Sequence, residues 1–324
     1  MTTSVTAGPW AQIIISGFSL GSFYALVALG FSLIFGITRA FNLAHGELIV
    51  LAGYLAFAAV KFYQVPFLLT LPLCMPILAL TALPLCLGLR RVGEPYALNT
   101  LVVTFGLALV LQNLMLVFFS ADYRLIPSDY PIISLPGINV IISGNQLGLF
   151  VLSLLATAAV HLLLHRSFLG QALRATIQDP EAAQIAGINV NRMGFIAFGL
   201  GGLLIGLAGP LYGQNMYLYP TAGGEATLIA IILTIFAGVG RIRPLLLGGW
   251  VLGLAESAAI LSLGSKWREL VAAAVLLALL AIRPEGLAAR RQEQFLAGKV
   301  DGGERGQESQ DPAPSAKTPF STSC

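Results

Sequence analysis

The sequence predicts an all-α fold, a polytopic bundle of membrane-spanning helices, on three observations. Charged residues make up only 10% of the 324 positions and hydrophobic ones 56%, whereas soluble domains carry about 25% charged residues. Apolar stretches near the ~20 residues that cross a bilayer as a helix recur along the chain. Lysines and arginines fall between those stretches and favour alternate connections. The 35 glycines and 17 prolines fit the raised frequency of both residues in membrane helices.

The apolar stretches are residues 12–37, 43–60, 66–89, 97–119, 145–165, 194–214, 224–240, 244–263 and 267–282. Nine crossings are expected, within a range of eight to ten. Asn42, His45 and Glu47 interrupt residues 38–54, which predicts a broken or re-entrant helix there. Placing the N-terminus outside gathers eleven arginines on the cytoplasmic side: Arg39, Arg90, Arg91, Arg166, Arg174, Arg192, Arg241, Arg243, Arg283, Arg290 and Arg291. Lys61, Arg124, Lys266 and Arg268 fall on the other side. Positive charge accumulates in cytoplasmic loops, so the C-terminus is expected in the cytoplasm.

Three regions follow. Residues 1–11 form a short external N-terminus without a basic segment ahead of the first apolar run, so no cleaved signal peptide is expected. Residues 12–288 form the transmembrane domain, with a long external loop at 120–144 (Pro127, Pro131, Pro136, Gly137) and a longer cytoplasmic one at 166–193. Residues 289–324 are polar and Gly-, Ser- and Pro-rich, a composition that cannot bury enough surface to order itself. Glycines four apart, Gly17 and Gly21, Gly202 and Gly206, Gly249 and Gly253, predict close helix packing.

Catalytic and metal chemistry find little support. The chain has no GxxxxGK followed by Ser or Thr and no HExxH, which leaves no phosphate loop or zincin site. Its one GxSxG, Gly17-Phe18-Ser19-Leu20-Gly21, lies inside an apolar stretch rather than at a strand-to-helix turn, so it is not read as a nucleophile elbow. Cys74, Cys86 and Cys324 show no ligand or disulfide spacing. His161 and His165 share a helix face but lack a third ligand, and read as interfacial residues. No cofactor is expected, and the net charge of +3 lies in loops and does not imply nucleic acid.

The cytoplasmic loop carries more information. Asp179 suits a helix N-cap, Pro180 the first helical position, and Glu181 the positive end of the helix dipole. Gly187 suits the left-handed residue that closes a helix. A capped helix of about two turns gains little from propensity alone, which favours docking on its own bundle or on a partner.

Glu181-Ala182-Ala183, three residues and then Gly187 resemble the first half of the EAA motif of ABC importer permeases; the later Ile-x-x-Pro part is missing. The wider run Gly170, Arg174-Ala175, Gln178-Asp179, Glu181 and Gly187-Ile188-Asn189-Val190 is similar to the loop of high-affinity branched-chain amino-acid ABC permeases. Gly21 to Leu26 with Phe41-Asn42-Leu43-Ala44-His45-Gly46-Glu47 resembles that family's first two spans, Gly249 to Glu256 a late span, and Arg283 to Leu287 its C-terminal signature. Gly238-Val239-Gly240-Arg241-Ile242-Arg243-Pro244 departs from it, with Arg241 and Arg243 in place of small residues.

The resemblance implies a permease subunit of a bacterial inner-membrane importer for branched-chain amino acids or related amino acids, amides or urea. It implies a second, similar permease, two cytoplasmic ATP-binding subunits that hydrolyse the ATP, and a periplasmic binding protein. Asp179, Pro180, Glu181, Ala182, Ala183 and Gly187 become the ATPase coupling helix. Ionisable groups at membrane depth usually face a cavity or a partner, so Asn42, His45, Glu47, Glu225 and Glu256 are candidates for the translocation path or gate. The alternative is an ion-coupled secondary transporter for a small polar solute, with Glu47 or Glu256 carrying the ion or proton.

Overall fold

The computed structural model describes residues 7–127, 130–135 and 140–282. All nine apolar stretches form helices: α1 (Ala7–Thr38), α2 (His45–Tyr63), α3 (Phe67–Arg90), α4 (Tyr96–Phe119), α5 (Gly144–Arg166), α8 (Val190–Asn215), α9 (Gly223–Ala237), α10 (Ile242–Leu263) and α11 (Arg268–Ile282). Two more, α6 (Phe168–Gln178) and α7 (Pro180–Ile185), lie in the loop after α5. The long loop after α4 holds a small antiparallel hairpin, β1 (Ile132–Leu135) with β2 (Val140–Ser143), in which Ile132 pairs with Ser143. The 283–287 signature, the 289–324 tail, Pro136 and Gly137 lie outside the described residues.

Seven helices among the described residues are long and apolar enough to cross a membrane, two fewer than the nine crossings expected. The difference lies in α9 and α11. Each has 15 residues, about 22 Å at the helical rise, against a hydrocarbon core of about 30 Å. For α9 the reason is local: the helix stops at Ala237, short of the expected residue 240, because Gly238 takes a positive φ (78°). Residues 216–222 before it are non-helical, pinned by an antiparallel bridge of Leu218 to Arg124. At the other end of the chain, α1 begins at Ala7, so it takes in much of the expected N-terminal extension.

α1 is the axis of the bundle, 32 residues long and almost wholly buried from Ser19 to Ile34. Glycines set its distance from α10. A Cβ on Gly21 would lie 2.5 Å from the Gly249 carbonyl oxygen, closer than atoms pack, so the two backbones touch. Gly202 and Gly206 play the same part between α8 and α3, against Leu78 and Cys74. The four-residue glycine spacing is therefore helix packing. α4 packs chiefly on α2, its buried residues a narrow stripe of Thr100, Thr104, Ala108 and Met115, and most of its surface is exposed.

The arginines follow the predicted sidedness. Arg39, just past α1, donates to Ile177 O of α6 at 2.7 Å, and Arg90, ending α3, donates to Asn191 O of α8 at 2.6 Å. These ends form one basic face. Lys61 and Arg124 both lie over the Phe57 ring at the opposite face.

Candidate functional site

The interruption expected at residues 38–54 is real. α1 stops at Thr38, Arg39 takes a left-handed conformation (φ 55°), and residues 40–44 double back along α1. Phe41 packs on Phe35 with ring centroids 4.8 Å apart, and His45 reaches Phe31 and the Val27 carbonyl. Eleven residues of α1 separate Val27 from Thr38, so α2 begins about 16 Å inside the basic face.

α9 begins at the same depth. The Gly46 N–H donates to Thr227 Oγ1 at 2.8 Å, and Gly46 presses on the Gly223 carbonyl so closely that neither glycine has room for a side chain. From there α9 runs with α1, Thr234 donating to Ala28 O at 3.2 Å and the Gly240 N–H, just beyond α9, donating to Ser32 Oγ at 3.0 Å. α2 leaves the other way. Two oppositely directed helices thus meet at their N-termini inside the membrane.

Glu47 sits at that meeting. It occupies the third position of α2, and its carboxylate abuts Gly223, the first residue of α9. One carboxylate therefore faces two positive helix ends. Gln112 of α4 donates to Glu47 Oε1 at 2.7 Å, and Glu47 is only 1% exposed. His45 is fully buried, and its Nε2 lies 3.2 Å from Val27 O; a carbonyl only accepts, so that nitrogen carries the proton. Asn42 Oδ1 accepts from the Ala44 N–H at 3.1 Å, and Thr104 Oγ1 from the Leu43 N–H at 3.2 Å. Asn42 Nδ2, His45 Nδ1 and Glu47 Oε2 remain buried with no protein partner.

The other two candidate acids gather one turn along α1. Tyr24 donates to Glu256 Oε2 at 2.6 Å, and Glu256 is fully buried in α10. Glu225, in the first turn of α9, lines a cavity of about 10 Å³ with Tyr24, Val27 and Tyr212, the room of a single water. All five candidates from the spans thus lie around Tyr24–Phe31 of α1, in two adjoining groups. Tyr24, Gln112, Thr104 and Thr227 escaped the sequence reading. Tyr24 had a signal, since it lies in the Gly21–Leu26 motif; the others are single polar residues in apolar runs.

The loop helix forms as its punctuation predicts, but shorter. α7 has six residues. Asp179 Oδ1 accepts from the Glu181 and Ala182 N–H groups, both at 3.0 Å, and Pro180 fills the first turn. Gly187 has φ 84°. The Ile188 N–H returns to Ala183 O at 2.9 Å and the Gly187 N–H to Gln184 O at 3.0 Å, the paired bonds of a Schellman closure. Ala183 faces inward, while Glu181, Ala182 and Ile185 face out, Ile185 with 89% of its surface exposed. Sequence reading missed Ile185, although an isolated large aliphatic in a polar loop was visible. α6 seats the pair: Ile177 packs beside Gly36 and Gly240, next to the Arg39 contact.

His161 and His165 stack 4.1 Å apart, and His165 Nδ1 bonds the His161 carbonyl at 2.9 Å. No cluster of three potential metal ligands occurs among the described residues.

Residues 13–280 match the model of the family described as branched-chain amino acid transport system / permease component. The chain is 30% identical over 295 residues to the high-affinity branched-chain amino acid transport system permease protein BraD of Pseudomonas aeruginosa, covering 87% of this chain and 96% of the relative. It is 26% identical to LivH of Escherichia coli K12, a permease protein of the same description, covering 86% and 95%. A probable branched-chain amino acid transport permease of Methanocaldococcus jannaschii shares 25% identity, covering 81% and 87%. No solved structure matches the chain. With a multi-pass helical membrane fold and a family match along most of its length, this chain is a transport subunit and belongs to the permease components of branched-chain amino acid transport systems.

Proposed function

We propose that this chain is the permease of a bacterial inner-membrane ABC importer for leucine, isoleucine and valine, working by alternating access with two cytoplasmic ATPases, a second homologous permease and a periplasmic binding protein. Its basic face is cytoplasmic, its N-terminus outside and its C-terminus inside. Asp179, Pro180, Glu181, Ala182, Ala183 and Gly187 build the ATPase coupling helix, and the exposed Ile185 is the residue it offers to the ATPase.

One observation carries the assignment of the path. Three buried polar atoms, on Asn42, His45 and Glu47, are left over where two helix starts meet. Each such atom costs about 1–3 kcal/mol, and costs of this kind persist where function uses them. The binding protein captures the substrate, so the path needs polar lining at a constriction rather than a tight site. Asn42, His45 and Glu47 supply it in one group, and Glu225 and Glu256 in the adjoining one. The coupling route is short: α7 sits on α6, whose Ile177 carbonyl holds Arg39 at the bend leading to Asn42 and Glu47.

Reconstitution tests the reading. Proteoliposomes holding the permease pair should take up labelled leucine only with the ATPases, ATP and binding protein present. Uptake by this chain alone, driven by an ion gradient, would overturn it.

A further inference from the structure

At the basic face, apart from the polar centre, four transmembrane helices end around a cavity of about 180 Å³. Thr38 ends α1, Leu89 and Arg90 end α3, Tyr96 begins α4, and Asn191 lies in the first turn of α8, with Phe198 two turns deeper. Four span ends on one face place the opening at headgroup depth, where tyrosines gather and arginines extend toward water. The rim is polar and cationic, and the floor, between Leu89 and Phe198, is apolar.

Arg90 is built into this rim. Its guanidinium donates to Asn191 O at 2.6 Å and stacks on the Phe195 ring at 4.1 Å. A side chain at Gly194 would occupy the space the guanidinium takes. No carboxylate lies within 4.0 Å of Arg90 among the described residues. The neighbouring acid, Glu94, turns its carboxylate to the Tyr96 N–H at 2.8 Å. Arg91 and Arg192, next in sequence to two lining residues, are exposed and add charge of the same sign.

We propose that this cavity is a binding site for an anionic phospholipid, its phosphate on Arg90 and Tyr96 and the start of an acyl chain against Leu89 and Phe198. The amphiphilic lining argues for a lipid over a free anion: inorganic phosphate would use the rim and leave the floor empty. A basic pocket between helices on the face with the arginine excess is where anionic headgroups collect. The site requires only that the chain span a membrane and stands apart from the transport reading.

Native mass spectrometry of the full chain in micelles, titrated with phosphatidylglycerol or phosphatidylcholine, tests it. Phosphatidylglycerol should be retained in preference and should raise the thermal unfolding midpoint. Arg90→Ala should weaken its binding about tenfold and Tyr96→Phe about threefold, from the loss of a charge-assisted and a neutral hydrogen bond. Tyr96→Phe keeps the packing and serves if Arg90→Ala does not fold. The proposal fails if the folded variants bind phosphatidylglycerol as the parent chain does, or if phosphatidylcholine binds equally well. It also fails if millimolar inorganic phosphate alone gives the same stabilisation, since that outcome marks a site for a soluble anion.

Discussion

Glu47 answers two helix starts at once, and replacing it separates charge from shape. Glu47→Gln keeps the volume and an oxygen for Gln112 but removes the charge that faces α2 and α9. Each helix end contributes about 0.3–1 kcal/mol, more when buried, so a loss of about 1–3 kcal/mol is expected in thermal unfolding in micelles. An unchanged midpoint would mean that the carboxylate does not bridge the two ends. Tyr24→Phe removes the 2.6 Å bond to Glu256 and should cost about 1–3 kcal/mol by the same assay. In transport it should lower the rate of uptake more than the affinity of the binding protein for substrate, because Tyr24 lies on the proposed path. Tyr24 and Glu256 are 232 positions apart. Sequence could mark each as polar in an apolar run, but only the fold pairs them.

Among the elements, what was legible depended on whether hydrophobicity carries the information. Every apolar stretch became a helix because a segment in lipid must bond its own backbone groups. The break after α1 was legible because Asn42, His45 and Glu47 interrupt the run. The gap before α9 was legible as well, between the stretches 194–214 and 224–240; its depth beside the start of α2 was not, because only the fold brings Gly46 against Gly223. The meeting of the two short starts should be unforgiving. Gly46→Ala or Gly223→Ala forces a Cβ into the facing backbone and should cost about 1–3 kcal/mol as overpacking, or abolish folding, whereas Gly224→Ala meets open space and should be tolerated. At the basic face, α7 was read correctly from its caps, and its six residues end in a closure that begins at Ala183. Asp179→Ala removes an N-cap that bonds two N–H groups and should destabilise α7 by about 1 kcal/mol. Glu181→Lys and Ile185→Asp should weaken co-purification of the ATPase while membrane insertion is unchanged. Association and uptake equal to the parent chain would remove α7 from the coupling role.

For the whole molecule, sidedness was the most legible property. Loop arginines that are far apart in sequence, Arg39 beside α6 and Arg90 beside α8, come together on one face. Which compartment that face meets is a separate question. Cysteine labelling of intact cells answers it: a cysteine placed at Ser167 should resist an impermeant reagent, and one placed at Asp122 should react. The reverse pattern would invert the proposed topology. The Arg241 and Arg243 departure from the family pattern has a local fit, with Arg241 preceding α10 after two glycines of positive φ, Gly238 and Gly240. Nothing in the structure links these arginines to a choice of substrate.

The meeting of α2 and α9 has an electrical consequence. Two helix starts contribute roughly half a positive charge each, and each carries an acid in its first turn, Glu47 in α2 and Glu225 in α9. On the proposed path, a zwitterionic solute would pass a station where acidic side chains offset positive helix ends. Such an offset would favour a neutral solute over a bare ion, and so would spare the ion gradients that the same membrane stores.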